Sequence, residues 1–268
     1  MSQIVRQSAE NLQKIRASKP LVHNITNYVV MNFTANALLA AGASPVMAHA
    51  INEVEDMAGI ANALVLNIGT LSDDWVEAMV LAGQKASSLK TPVVLDPVGA
   101  GATALRTDAA KRILQEVAVR IVRGNSSEIL ALSGGSSATR GVDAANAVDE
   151  AAGVAVEMAR ELKTTLAITG KIDLVTDGER VIEVANGHEM MPYITGTGCT
   201  ATALVGAFAA VEEDMPVAAA GALAFIGLAG ERAARSASGP GSFAVHFLDA
   251  LYGLSTEEFV QSAKIVVR

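Results

Sequence analysis

Residues 193–208 read YITGTGCTATALVGAF, a loop with two glycines that opens directly into an apolar, alanine-rich helical pattern. Gly196 and Gly198 let the backbone turn its N–H groups toward one point, and the helix start adds unpaired N–H groups and a positive dipole end. This predicts an anion site, usually for phosphate, although a plain tight turn with close helix packing gives the same pattern. Cys199, the only cysteine, stands at its mouth, where the alternative is a buried small apolar residue.

Outward from this loop, continuous apolar runs alternate with helical patterns along the chain. The runs predict buried parallel strands at 21–27, 43–47, 63–70, 92–97, 118–122 and 165–170, and a hairpin at 173–184 with its turn at 176–179. Besides the helix behind the glycine loop, predicted helices cover 8–18, 28–41, 52–61, 72–89, 107–116, 126–132, 143–162, 215–237, 243–251 and 256–265. Asn52 and Ser72 are the expected N-caps of two of them, 133–140 is a predicted loop, and 239–242 is a predicted turn. The pattern predicts one α/β domain over 1–268, with a mostly parallel central sheet and helices on both faces.

The amino-acid composition limits the partners and the cellular location expected for this protein. The chain has 268 residues, 51% of them hydrophobic, and a formal charge of −8. An acidic surface argues against partners such as nucleic acid or anionic membranes. A single cysteine excludes an intrachain disulfide and favours a reducing, cytoplasmic location. Residues 1–16 lack the apolar core of a signal peptide, and the uncharged run 215–230 is too short for a membrane span, so it predicts a buried helix.

Polar side chains should meet at one edge of this sheet, beyond the carboxyl ends of its parallel strands. Asp96 and Glu128 are carboxylates suited to Mg²⁺, and Arg123 presents a fork of donors suited to phosphate oxygens. With the Thr169 hydroxyl and the glycine loop, they match the needs of phosphoryl transfer. Each also has a simpler interpretation: Asp96 as a turn residue before proline, Glu128 as a helix cap near Asn125, and Arg123 as the ion-pair partner of Glu128.

Other nucleotide-binding motifs are incomplete. Gly170 and Lys171 would end a P-loop, but Thr165 stands where its first glycine is needed. Residues 99–104 match Gly-x-Gly-x-x-Ala after a strand, which leaves a dinucleotide-binding interpretation open. That match is weak because residues 96–98 separate it from the strand.

Several motifs follow one another in order from about Pro20 to Ser242. They are PLVHNITN at 20–27, NFTAN at 32–36, GASPVM at 42–47, LNIGT at 66–70, LDPVGAG at 95–101, RGN at 123–125 with Glu128, and GTGC at 196–199. Together they resemble the hydroxyethylthiazole kinases of thiamine biosynthesis, a family with the ribokinase-like fold. The number and order of the motifs make this resemblance specific.

The resemblance implies transfer of the ATP γ-phosphate to the primary alcohol of 4-methyl-5-(2-hydroxyethyl)thiazole. It also implies Mg²⁺ and a homotrimer with active sites between subunits. By motif position, the expected residues are Arg123, Thr169 and Gly198 for ATP; Asp96 and Glu128 for Mg²⁺, directly or through water; Met47, Gly196, Asn27 and Val46 for the thiazole; and Cys199, Gly196 and Gly198 for catalysis. A shallow, apolar thiazole pocket around Val46 and Met47 should tolerate related small alcohols.

Cys199 departs from the pattern of ribokinase-like sugar kinases, which carry a base Asp at this loop position. A thiol is mostly protonated at neutral pH, although a helix N-terminus should lower its pKa. We therefore expect a weak or partial base, with positioning and Mg²⁺ supplying most of the rate. Three alternatives stay open: a kinase of the same fold acting on a sugar or pyrimidine alcohol, an ATP-dependent dehydratase of hydrated nicotinamide, and a non-catalytic nucleotide-binding homologue.

Overall fold

The computed structural model describes residues 2–133 and 147–268. The described strands are β1 (Leu21–Ile25), β2 (Ser44–Val46), β3 (Ala63–Asn67), β4 (Val93–Asp96), β5 (Ile121–Asn125), β6 (Thr165–Thr169), β7 (Asp173–Thr176), β8 (Val181–Val184) and β9 (Ile265–Val267). They form one sheet in the order β2-β1-β3-β4-β5-β6-β7-β8-β9. A mostly parallel α/β fold is therefore confirmed.

Helices connect and cover these strands. The described α-helices are α1 (Gln3–Ser18), α2 (Met31–Ala41), α3 (Val54–Ile60), α4 (Asp73–Leu89), α5 (Ala104–Glu116), α6 (Ser126–Leu132), α7 (Ala147–Leu162), α8 (Thr197–Ala209), α9 (Met215–Ala234), α10 (Pro240–Gly253) and α11 (Thr256–Ser262). A short 3-10 turn covers Met191–Tyr193, just before the glycine loop. The predicted loop at 133–140 and the predicted helix start at 143 lie almost wholly outside the described residues.

The sheet is parallel on one side and antiparallel on the other. Strands β2, β1, β3, β4, β5 and β6 pair in parallel, so their carboxyl ends share one edge. Beyond β6, the pairs with β7, β8 and β9 are antiparallel, and β7 and β8 form the predicted hairpin. Gly178 lies in its turn at φ 92°, a left-handed conformation that glycine adopts without steric cost.

The two faces of the sheet carry separate apolar cores. Strand β3 shows the alternation: Val65 packs into a core with α1, α2, α8, α9 and α10, whereas Leu64 and Leu66 pack into a core with α3, α4, α5 and α7. Successive side chains of a strand point to opposite faces, so one short apolar run serves both cores. This places α8, the helix behind the glycine loop, directly against the centre of the sheet.

Two helices position the glycine loop. On α8, Gly206 allows close packing, because a Cβ there would lie 2.6 Å from Cγ2 of Val65.

Helix α9 is long and apolar enough to cross a membrane by length and composition, but 83% of its most apolar window is buried inside the fold. The prediction of a buried helix at 215–230 is confirmed.

Several local predictions were wrong. Residue 265 begins β9 rather than ending a helix, because Ile265 pairs with Val184. Residues 239–242 are not a free turn, since α10 begins at Pro240, a position that tolerates the missing proline N–H. Asn52 does not cap α3; the cap position is Glu53, without a side-chain bond. Ser72 does cap α4, accepting a hydrogen bond from the Trp75 N–H.

Candidate functional site

Asp96 lies at the centre of the shared strand edge. It is the last residue of β4 and is 1% exposed. Its Oδ2 accepts hydrogen bonds from Asn67 Nδ2 at 2.8 Å and Thr202 Oγ1 at 2.7 Å. A guanidinium nitrogen of Arg123 lies 3.9 Å from the same oxygen. Three elements, β3, α8 and β5, therefore converge on one carboxylate.

The surroundings of Asp96 disfavour the charged form of its carboxyl group. Burial raises its pKa to about 6, although Arg123 and the Thr202 hydroxyl pull it down. Its other oxygen, Oδ1, is buried and has no hydrogen-bond partner within the described part of the chain. A buried acceptor without a donor suits a cation or an ordered water.

Arg123 links Asp96 to β6. It is the third residue of β5, which runs to Asn125, whereas the sequence predicted a strand ending at 122 with Arg123 just after it. Its NH2 group donates to Thr169 Oγ1 at 2.6 Å. A Cβ at Gly198 would lie 3.0 Å from the other terminal nitrogen of Arg123. The three residues expected to contact ATP are thus adjacent to one another.

A cavity of about 750 Å³ opens beside these three residues. Its polar lining includes Arg123, Thr169, Lys171, Asp173, Thr197 and Gly198, and its apolar lining includes Ala185, Met191, Pro192, Ala201, Leu223, Ile226 and Gly227. A polar part near a helix N-terminus and an apolar part between helices suit a phosphate chain and a planar base.

A second, half-buried carboxylate lines this cavity. Asp173 accepts a hydrogen bond from the Gly170 N–H at 2.9 Å and so closes the turn between β6 and β7. Burial raises the pKa of Asp173 to about 6, with Arg123 and the Gly170 N–H acting in the opposite direction. Neither Asp173 nor Lys171 was assigned a role from the sequence.

Glu128 forms a capping box. Its Oε2 accepts from the Asn125 N–H at 2.9 Å, and its own N–H donates to Asn125 Oδ1 at 2.9 Å. Its Oε1 accepts from the Gly99 N–H at 2.9 Å. The capping interpretation is therefore confirmed, and the ion pair of Arg123 runs to Asp96 instead. A role for Glu128 at Mg²⁺ stays a prediction.

The backbone N–H groups of the two glycines in the motif at 99–104 are hydrogen-bonded to side chains. The Gly99 N–H is bound to Glu128, and the Gly101 N–H donates to Thr107 Oγ1 at 2.9 Å. Backbone donors that a pyrophosphate would need are thus already used by side chains. The dinucleotide-binding interpretation of this motif is unsupported.

The glycine loop adopts the predicted geometry. Gly196 is the N-cap of α8 at φ 89°, in the left-handed region. A Cβ there would lie 2.9 Å from Cγ1 of Val30, so both the conformation and the packing require glycine. The first turn of α8 then presents residues 197–199 beside Arg123, as an anion site requires.

Cys199 lies in that first turn, between the two halves of the site. Asn27 Nδ2 donates to its Sγ at 3.5 Å. Burial and the nearby Asp96 charge raise the pKa of Cys199 to about 11. The expectation of a lowered pKa is wrong, because loss of hydration and the Asp96 charge outweigh the hydrogen bonds from Asn67 and Asn27 and the Arg123 charge.

None of the residues predicted for the thiazole lines the cavity beside Arg123 as the structure describes it. Asn27 follows β1 and is 5% exposed. Val46 ends β2 and Met47 follows it, and both are half-buried. Because β1 and β2 are parallel neighbours, these residues share the edge that carries the glycine loop. The structure places the predicted acceptor residues along one edge of the sheet, and their contact with a thiazole stays a prediction.

The residues present fit Mg²⁺ only in part. Among residues 2–133 and 147–268, no group of three or more His, Cys, Asp or Glu side chains is arranged to hold a metal ion. Asp96 offers one free carboxylate oxygen. One or two carboxylates completed by substrate phosphates and waters is the usual way proteins bind Mg²⁺. Asp96 is therefore the residue that would hold the ion.

Two residues that carry this site received no role from the sequence. Asn67 ends β3 and Thr202 lies on α8, and both donate to Asp96. Asn67 had a usable signal, its position at a strand end. Thr202 had only its spacing of three residues from Cys199, which puts both on one face of the helix.

The chain matches known proteins over almost its whole length. The model of the hydroxyethylthiazole kinase family matches residues 12–257. A hydroxyethylthiazole kinase of Desulfotalea psychrophila is 62% identical over 265 residues, covering 99% of this chain and 97% of the relative. The corresponding protein of Desulforudis audaxviator is 55% identical over the same shares.

Solved structures agree in fold. The hydroxyethylthiazole kinase of Pyrococcus horikoshii superposes with a TM-score of 0.91 at 46% identity, covering 98% of this chain and 99% of that one. A pyridoxal kinase of Staphylococcus aureus superposes with a TM-score of 0.59 at 17% identity, a likeness of fold alone. The predicted ribokinase-like architecture is confirmed. The chain belongs to the hydroxyethylthiazole kinase family.

Proposed function

We propose that this protein transfers the γ-phosphoryl group of ATP to the primary hydroxyl of 4-methyl-5-(2-hydroxyethyl)thiazole. The products are the thiazole phosphate, which serves thiamine phosphate synthesis, and ADP. The observation that carries the proposal is one cluster at the start of α8, where Arg123 lies between Asp96 and Thr169 beside Gly198. The identity of the acceptor alcohol is inferred from membership of the hydroxyethylthiazole kinase family.

The nucleotide occupies the cavity beside Arg123. Its phosphates lie against the Arg123 guanidinium, the Thr169 hydroxyl and the first turn of α8, and its base lies among the apolar residues of α9 and the 185–192 segment. These donors are fixed before the substrate arrives, so they stabilise the charge that develops on the transferring group at little reorganisation cost.

The acceptor alcohol approaches from the side of Asn27, Val46, Met47 and Gly196. Its oxygen forms a bond to the γ-phosphorus while the bond from that phosphorus to the β–γ bridging oxygen breaks. ADP leaves with that electron pair, and the alcohol proton passes to solvent as the new ester forms. The transition state is loose, so little assistance from a base is needed.

Asp96 and Cys199 take different roles in this step. Asp96, with Glu128 acting through a water, would hold Mg²⁺, and the ion would neutralise charge on the phosphates during transfer. Cys199 is a protonated thiol at neutral pH, because its pKa is raised to about 11. The thiol therefore positions the alcohol, and only its small thiolate fraction can accept the alcohol proton.

A homotrimer is the assembly we propose, with active sites between subunits. Large apolar side chains are exposed beside the acceptor residues: Tyr28 is 63% exposed, Val29 66% and Tyr193 73%. Burial of such a group against another subunit is favourable. Light scattering after size exclusion should give three times 27.5 kDa, and a monomeric mass would contradict the assembly. We place the enzyme in the cytoplasm, consistent with its free thiol.

The reaction is tested by ADP release from Mg²⁺-ATP with and without the hydroxyethylthiazole. Thiazole-dependent ADP, with a phosphorylated thiazole identified by mass, is the expected result. ADP release with a sugar, a pyrimidine alcohol or hydrated nicotinamide instead would favour the other enzymes of this fold. ATP binding without turnover of any acceptor would favour a non-catalytic homologue.

Acceptor range is tested in the same assay. Val46 and Met47 are half-buried apolar side chains, so they can select an acceptor mainly by its shape. We therefore expect related small alcohols to be phosphorylated at measurable rates. An absolute preference for one acceptor would contradict this.

A further inference from the structure

Asn67 occupies a place in the site that the proposed reaction has not used. It ends β3 and is 2% exposed. Its Nδ2 donates to Asp96 Oδ2 at 2.8 Å, and its Oδ1 accepts from Asn27 Nδ2 at 2.9 Å and from the Gly69 N–H at 3.0 Å. Both ends of this buried amide are thus bonded to other groups.

The two ends of this amide lead to the two halves of the site. On one side, Asp96 pairs with Arg123, which donates to Thr169 at the nucleotide cavity. On the other, Asn27 donates to Cys199 Sγ at the acceptor side. Asn67 is the side chain that joins them.

The orientation of this amide is fixed by its neighbours. The Gly69 N–H is only a donor and needs an acceptor, and an ionised Asp96 is only an acceptor and needs a donor. Oδ1 must therefore face Gly69 and Nδ2 must face Asp96. Gly69 also confines Asn27, since a Cβ at position 69 would lie 2.5 Å from Asn27 Nδ2.

We propose that Asn67 is a positioning residue that holds the phosphate side of the site, through Asp96, and the acceptor side, through Asn27, in one fixed register. The register sets the approach of the alcohol oxygen to the phosphorus. The effect on turnover rests on the proposed function, whereas the effect on Asn27 does not.

The test uses Asn67→Leu, which keeps the volume and removes the three hydrogen bonds. We expect kcat to fall about 100-fold, with the KM for ATP within about threefold of wild type, because misplacement of about 1 Å costs this much in rate while binding survives. A kcat within about threefold of wild type in a folded variant would overturn the proposal. Asn67→Ser, which keeps one hydrogen-bonding atom, should give an intermediate kcat and serves if the leucine variant does not fold.

A second readout needs no turnover. Cys199 is the only cysteine, so its alkylation by iodoacetamide at pH 8.5 can be followed by intact mass. Asn27→Ala removes the Nδ2–Sγ bond directly. Asn67 hydrogen-bonds Cys199 itself as well as holding Asn27, so Asn67→Leu and Asn27→Ala should each change the alkylation rate about threefold or more. If Asn67 also positions Asn27, the double variant should change the rate by less than the product of the two single factors, and a change equal to that product would overturn the proposal.

Each outcome of the alkylation experiment decides the proposal. A wild-type alkylation rate in Asn67→Leu, or in Asn27→Ala, would overturn it. The matched control is Asn11→Leu, the same change at a buried asparagine on α1 that donates to Glu212 at 2.7 Å. That variant should keep the wild-type kcat and alkylation rate even if its thermal stability falls. Lack of thiazole phosphorylation by the wild type would refute the proposed function and leave the alkylation comparison intact.

Discussion

At the scale of single residues, the site places two ionisable groups where their charged forms are unfavourable. Burial raises the pKa of both Asp96, to about 6, and Cys199, to about 11. At neutral pH the first is mostly ionised and the second is not. The carboxylate is therefore the group available to a cation, and the thiol can only donate or position. The two residues consequently respond differently to substitution.

Asp96→Asn should reduce activity and raise stability. Loss of the carboxylate removes the group that holds the metal, so kcat should fall about 100- to 1,000-fold. In the folded wild type the pKa of Asp96 is about 6, above its ordinary value of 3.8. The folded state therefore loses stability as the pH rises from 3.8 to about 6, because the buried carboxyl must then ionise. Asparagine avoids that loss.

The measurement is thermal unfolding of both proteins at pH 8 and pH 4.5. At pH 8 the variant should be more stable by on the order of 2 kcal/mol, about 4 to 8 °C. The difference should shrink at pH 4.5, where Asp96 is largely protonated. A variant less stable at pH 8 would contradict this account.

Cys199→Ser should be a mild substitution. A thiol whose pKa is about 11 contributes little as a base, so we expect kcat to fall about 10-fold or less. The kcat profile between pH 7 and 9 should have the same shape in both proteins. Complete loss of turnover with unchanged substrate affinity would show that Cys199 is an essential base.

At the scale of elements, α8 determines whether the glycine loop meets the strand edge. Its N-cap is the left-handed Gly196, and its body packs on the sheet through Gly206, beside Val65. The capping box at the start of α6 holds the end of β5 in a similar way. The Glu128 carboxylate accepts hydrogen bonds from the backbone N–H groups of both Asn125 and Gly99. Close contacts of helices with strands therefore set the geometry of the site.

Gly206→Ala tests the packing of α8. The new Cβ would lie 2.6 Å from Val65 Cγ2, so the helix must move, and we expect a loss of about 1 to 3 kcal/mol. The control is Gly153→Ala on α7, where nothing lies within 4 Å of the new Cβ. That variant should gain about 0.5 to 1 kcal/mol, because alanine favours a helix over glycine. Urea unfolding of both measures the difference, and equal stabilities would refute the argument.

At the scale of the whole molecule, one sheet separates two apolar cores and brings six parallel strand ends to a common edge. The cavity beside Arg123, which we propose binds the nucleotide, lies where that parallel part gives way to the antiparallel strands, between β6, β7 and the helices α8 and α9. Binding there should stabilise the fold as a whole, since the ligand contacts both the sheet and the helices.

Mg²⁺-ATP at about 100 times its Kd should therefore raise the melting temperature by about 5 to 10 °C, the equivalent of about 2.7 kcal/mol. Arg123→Ala should lose most of this shift, because the guanidinium lies at the phosphate end of the cavity. Arg112→Ala is the matched control: its guanidinium pairs with Glu77 and Glu116 at the surface. A full shift in the Arg123 variant would place ATP elsewhere.

The sequence by itself determined the fold class, the glycine loop before α8 and the strands that carry Asp96, Arg123 and Thr169. These follow from local patterns: the spacing of apolar residues sets strands and helices, and glycine sets where the backbone can turn. The same local patterns gave the β7–β8 hairpin, because its turn chemistry lies within a few residues.

Only the tertiary structure decided the rest. Pairing of residue 265 with β8 turned a predicted helix end into a strand, and burial overturned the expected pKa of Cys199. The bonds of Asn67 and Thr202 to Asp96 join residues 29 and 106 positions apart. Burial and long-range hydrogen bonds depend on which elements pack together, and no local pattern of residues contains that information.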